Sequence, residues 1–150
     1  MSQALTERPT GDFRHNFFPA IAFVGAAWVV IGSLGPWGTF TSFYGDESIN
    51  GTSGDGKLTL ILGIGIAIAM LLAFSHPRLG YTLTILESIL VIVIAENHRN
   101  NISDLVDGNI KYVVIDVEWG LYLVLVGGCM ALSGAIFHLA WNREASRSGQ

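Results

Sequence analysis

Four long apolar runs divide the chain: Phe17 to Leu34, Leu58 to Phe74, Leu79 to Ala95 and Trp119 to Trp141. Each is close to the roughly 17–25 residues that a helix needs to cross the hydrocarbon core of a bilayer. The pattern predicts an all-α membrane protein, a bundle of four transmembrane helices in one membrane domain over residues 1–150. Polar stretches separate the runs: a tail over 1–16, an outer loop over 35–57, a turn over 75–78, a second outer loop over 96–118 and a tail over 142–150. Pro77 in the turn stops a helix, and so short a link forces the second and third runs into an antiparallel hairpin.

The pattern changes in the long loops. Thr39 to Tyr44 is rich in aromatic and β-branched residues and reads as a strand. Ile110 to Val117 reads as another, after the turn signal Asp107-Gly108-Asn109. Paired, they make a small extracellular β element. A two-stranded ribbon alone is marginal in water, so the helix ends or a partner must support it. Trp37, Tyr44 and Tyr112 are the candidate contact residues of this outer face, although a tryptophan at a helix end also anchors at the lipid headgroups.

Charge orients the spans. Arg8, Arg14, Arg78, Arg143 and Arg147 fall on one side, and Lys57, Arg99 and Lys111 on the other. The richer side belongs in the cytoplasm. Asp46, Glu47, Asp55, Glu96, Asp104, Asp107, Asp116 and Glu118 all lie in the two long loops and sharpen the asymmetry. The expected location is the cell membrane, multi-pass, with both termini cytoplasmic. The first run is longer than a signal-peptide core, and Gly32-Ser33-Leu34-Gly35-Pro36 is a poor cleavage site, so it is expected to be retained.

Composition agrees and removes several classes of function. The chain is 51% hydrophobic and 13% charged, against about 25% charged for a soluble domain. A small soluble domain cannot hide that much apolar surface. A net charge of −4 leaves no basic patch for nucleic acid. The single cysteine, Cys129, forms no intramolecular disulfide and reads as a small buried hydrophobe. His15, His76 and His98 share no metal-ligand spacing, and no Ser-His-Asp or Cys-His set is visible. Asp104, Asp107 and Asn109, like Asp46, Glu47 and Asp55, lack the spacing of a calcium loop and read as solvated acidic surface. No catalytic, cofactor or metal site is expected, and the chain does not read as an enzyme.

Glu87 is the most informative residue. It sits in the middle of the third run, between Ile85-Leu86 and Ile89-Leu90. A carboxyl at that depth costs a few kcal/mol, so it should face other helices and find a partner. No Lys or Arg lies at its depth. By height, Trp28 and Ser133 are nearest, Thr84 and Ser88 are local alternatives, and His138 lies further towards the inner face. Three roles follow: a proton or cation site, a protonated structural donor between helices, or contact with a basic group on another subunit. Small residues repeat at four-residue spacing in the second run (Gly65, Ala69, Ala73) and the fourth (Gly127, Ala131, Ala135). Such stripes let helix backbones approach closely, inside the chain or between copies.

Two stretches carry a likeness. Ser48 to Gly63 (S-I-N-G-T-S-G-D-G-K-L-T-L-I-L-G) and Glu118 to Gly128 (E-W-G-L-Y-L-V-L-V-G-G) resemble small four-span membrane proteins of actinobacteria, mycobacteria especially, and of their phages. The resemblance implies a compartment rather than an activity; a phage version would alter the host envelope, for instance by excluding other phages. In layout the chain is also similar to claudin-type tetraspans. Gly35-Pro36-Trp37-Gly38 matches their tryptophan-glycine signature, but the cysteine pair of their first outer loop is missing, so no residue roles carry over. The expected function is a non-enzymatic membrane component, an accessory subunit or a self-assembling protein. Its partners would be the lipid bilayer and other membrane subunits or itself. The alternative is a small channel or proton-coupled carrier built on Glu87.

Overall fold

The computed structural model describes residues 10–42, 45–53, 56–107 and 113–148. Each apolar run is helical: α1 is Thr10–Leu34, α2 Gly56–Leu72, α3 Pro77–Asp107 and α4 Trp119–Ser148. Helices α1, α3 and α4 each contain a stretch long and apolar enough to cross a membrane, while α2 is shorter at 17 residues. The helices form a ring in which α2 lies between α1 and α3, and α4 closes back on α1.

Hydropathy and helix length differ at the ends. α1 begins before its apolar run, and α4 continues past Trp141. Most notably, residues 96–107 are not loop but the last part of α3. Apolar content marks what a bilayer can cover, whereas a helix continues until a breaker stops it. None occurs here before Gly108. Glu96 and Arg99, one turn apart on this extension, form an ion pair. Pro77 also has a different role from the expected one. α2 ends at Leu72, where Ser75 and His76 donate their amides to the Leu72 carbonyl (3.0 and 2.8 Å). Pro77 then opens α3, at the position where its missing N–H costs nothing.

At the other end of the bundle lies a three-stranded antiparallel sheet, ordered β2-β1-β3. Strand β1 is Pro36–Ser42, β2 Gly45–Asn50 and β3 Val113–Val117. The two expected strands do pair, with Phe40 opposite Ile115 and Thr39 opposite Asp116. The unexpected one is β2. Its sequence, GDESIN, is rich in residues that strands disfavour, and it forms because it is the return arm of a hairpin on β1. A third strand brings the sheet to the size that is stable with support. Trp37 supplies that support. It is 1% exposed, and its indole Nε1 donates to the Gly32 carbonyl (3.0 Å) at the end of α1. Trp37 is therefore a buried plug beneath the sheet, not an outer contact or a headgroup anchor.

The core is made of small residues. A Cβ on Gly25 would come within 2.5 Å of the Gly127 carbonyl and 2.6 Å of the Ala131 amide. The α1 and α4 backbones meet there directly. Ala131 is fully buried in the same seam, and Ala135, one turn on, is fully buried too. Ala69 and Ala73 lie against Gly80, closing the α2–α3 hairpin. Both small-residue stripes of α2 and α4 are thus used inside the chain. Cys129, by contrast, is exposed on α4 and is not a core residue.

Candidate functional site

Polar side chains inside the bundle collect at three levels. Near the sheet, Ser33 and Thr59 share a hydrogen bond of 2.8 Å between α1 and α2. The Val29 carbonyl lies 2.7 Å from the Ser33 hydroxyl and the Gly56 carbonyl 3.0 Å from that of Thr59; whichever hydroxyl donates across the pair, the other donates to its own carbonyl. Above them the Trp37 and His98 rings meet edge to face at 5.0 Å. This level is a closed set of satisfied groups, suited to holding the sheet on the helices.

The middle level holds Glu87. The inward stripe of α3 runs through Tyr81, Thr84, Ser88, Val91 and Ala95, all buried. Leu86, Ile89, Leu90 and Val93 form the exposed face. Glu87 lies on the border between the two, half-buried, and crosses the backbone of α2 at Gly65. A Cβ at position 65 would stand 2.6 Å from Glu87 Oε1, so the glycine makes the room for the carboxyl. Oxygen Oε2 is enclosed without a hydrogen-bond partner among the described residues, and so is the hydroxyl of its neighbour Ser88. The residues expected at this height turn elsewhere. Trp28 is 37% exposed on α1. Ser133 donates to the Met130 carbonyl (3.1 Å) and Thr84 to the Gly80 carbonyl (3.0 Å). Residue counting orders the groups by height along each run and carries nothing about the rotation of the helix.

The third level, at the end away from the sheet, has no counterpart in the sequence reading beyond His138. Tyr81 of α3 stacks on His138 of α4 with ring centroids 4.2 Å apart. Asn142, one turn on, donates its amide to His138 Nε2 (2.9 Å). Tyr81 and His138 are each 5% exposed. These side chains back a cleft of about 750 Å³ whose other walls come from α1 and from the end of α2. The available signal was positional. Tyr81 and Asn142 stand near the arginines that end their apolar runs, Arg78 and Arg143.

Tyr44 and Tyr112 lie outside the described residues, as do Asp55, Asn109 and Lys111. Among the described residues, no three His, Cys, Asp or Glu side chains gather as a metal site would need. No protein-family model matches the chain, and no curated protein is similar enough to it to carry an inference.

Proposed function

We propose that the chain is a four-span protein of the cell membrane, with both termini in the cytoplasm, that acts without catalysis as a subunit of a larger membrane assembly. In this reading it binds a second membrane protein through the α2–α3 face around Glu87. The observation that carries it is the enclosed, unpartnered Oε2 of Glu87 beside Gly65. A carboxyl without a partner is costly in hydrocarbon; Glu87 is only half-buried, so a turn of its flexible side chain presents the carboxyl to a donor on another protein, which removes that cost. The small-residue stripes support a different subunit over a second copy, because packing within the chain uses them. The fourth span is supported by the outward face of α2. Leu58, Ile61, Ile64, Ile68 and Leu71 are all at least 47% exposed and form one apolar ridge, which suits lipid and not water.

The test is native mass spectrometry of the protein extracted from its own membrane in mild detergent, alongside Glu87→Ala. A stoichiometric second protein that is lost in the variant supports the assembly. A bare monomer in both samples overturns it.

A second reading, a proton-coupled carrier, draws on one further observation: the Ser88 hydroxyl next to Glu87 is also enclosed without a partner. Proton flux in reconstituted vesicles that Glu87→Gln abolishes would favour it. Absence of flux in the parent protein removes it.

A further inference from the structure

At the end of the bundle away from the sheet lies a cleft that combines apolar and polar walls. It opens between α1 and α2, where Pro19, Phe23 and Val24 face Leu71 and Phe74. Nine of its twelve lining residues are apolar, and the three polar ones, Tyr81, His138 and Asn142, are gathered on the back wall. Its volume of about 750 Å³ is within the range of ligand sites, about 300–1,000 Å³. An apolar cleft with one convergent polar wall takes an amphiphile, not a solute or a bare hydrocarbon.

Two further facts select the amphiphile. The first is position. The lining residues lie within about two turns of the ends of the apolar runs: Pro19 to Val24 follow the start of the first at Phe17, Leu71 and Phe74 end the second, Pro77 and Tyr81 flank the start of the third, and His138 and Asn142 flank the end of the fourth. In a bilayer that is the level of the lipid carbonyls and the top of the acyl chains. The second is charge. Pro77 and Asn142 are followed directly by Arg78 and Arg143, both exposed, and His76 is exposed beside them. Among residues with described side chains, no carboxylate stands at this end. Basic groups at the mouth of an interhelical pocket favour an anionic headgroup.

We propose that this cleft binds one anionic membrane lipid. The top of an acyl chain lies between Val24 and Leu71. The ester region meets Tyr81, His138 and Asn142, and the phosphate sits at the mouth near Arg78 and Arg143. The proposal rests on the membrane reading given above but not on the Glu87 assembly, and the two fail separately.

The test uses the full-length protein reconstituted in nanodiscs of equal phosphatidylglycerol and phosphatidylcholine, released and weighed by native mass spectrometry. Three variants accompany the parent. Val24→Trp fills the cleft from a position 43% exposed, so it leaves the core intact. Ile68→Trp places the same bulk at a position 60% exposed on α2, away from the cleft. The double variant Arg78→Gln, Arg143→Gln removes the charge at the mouth. The parent is expected to retain one lipid, with phosphatidylglycerol preferred about tenfold, which corresponds to about 1.4 kcal/mol. Val24→Trp is expected to lose that lipid and Ile68→Trp to keep it. The arginine variant should keep a lipid and lose the preference. Equal retention in Val24→Trp and the parent overturns the site, because lipid of the general annulus is indifferent to the cleft. Retention without preference in the parent overturns the anionic assignment. A protein that cannot be reconstituted at all refutes the membrane reading on which the site depends.

Discussion

Glycine 65 and glycine 25 look alike in the sequence, yet the structure gives them opposite roles. A Cβ on Gly25 meets backbone, the Gly127 carbonyl at 2.5 Å, which cannot move without separating α1 from α4. A Cβ on Gly65 meets the far end of a flexible side chain, Glu87 Oε1 at 2.6 Å. We therefore expect Gly25→Leu to destabilise the bundle by at least the roughly 1–3 kcal/mol of overpacking, read as a fall in the midpoint of denaturant unfolding in detergent. Gly65→Ala should change stability by under about 1 kcal/mol while displacing the carboxyl. The same variant should then weaken association with the proposed partner subunit in the native mass spectrum. A large stability loss in Gly65→Ala would show that the carboxyl is held rigidly and count against its availability to a partner. Glu87 itself was legible from sequence as a carboxyl in the middle of an apolar run. Its direction, towards Gly65 and away from Trp28 and Ser133, was not, because depth is a matter of counting while facing depends on which neighbour each helix meets.

At the scale of elements, α2 is the one whose environment most needs testing. It is the shortest helix and the one with the most uniformly apolar outer face. Ile64, 47% exposed, is its mid-point on that face. In lipid, Ile64→Arg should cost about 2.5–3.5 kcal/mol of insertion, read as loss of membrane-inserted protein. At a water-exposed position the same change would stay within about 0.5 kcal/mol. Strand β2 and the end of α3 carry the opposite lesson. Neither has the composition of its final state: GDESIN is a poor strand, and residues 96–107 are too polar to be read as part of a span. Both are extensions of a neighbour, a hairpin arm on β1 and an unbroken continuation of α3. Local preference is weak against a template that is already in place.

At the scale of the molecule, the fold has two distinct ends. One is capped by the sheet and closed by the Trp37 plug; the other is split by a cleft backed by His138. If the bundle spans the membrane with four helices, a cysteine in β2 and one in the α2–α3 turn are on opposite sides. Ser48 and Ser75, both exposed, are suitable positions in a Cys129→Ser background. A membrane-impermeant maleimide on intact cells should label Ser48→Cys and spare Ser75→Cys until the cells are opened. Labelling of both on intact cells would mean that α2 does not cross. Protection of the first and labelling of the second would invert the orientation read from the arginines.

The sequence by itself determined the number and order of the helices, the pairing of two strands between them and the place of Glu87 in the middle of an apolar run. These depend on runs, periods and depth, which are properties of the chain taken one segment at a time. Only the tertiary structure decided that the small-residue stripes close on neighbouring helices of the same chain, that Trp37 is inside, and that Tyr81, His138 and Asn142 come together. Each of these depends on the rotation of one helix against another. That rotation is set by where the two glycine-rich backbones of α1 and α4 can touch, and no single segment contains it.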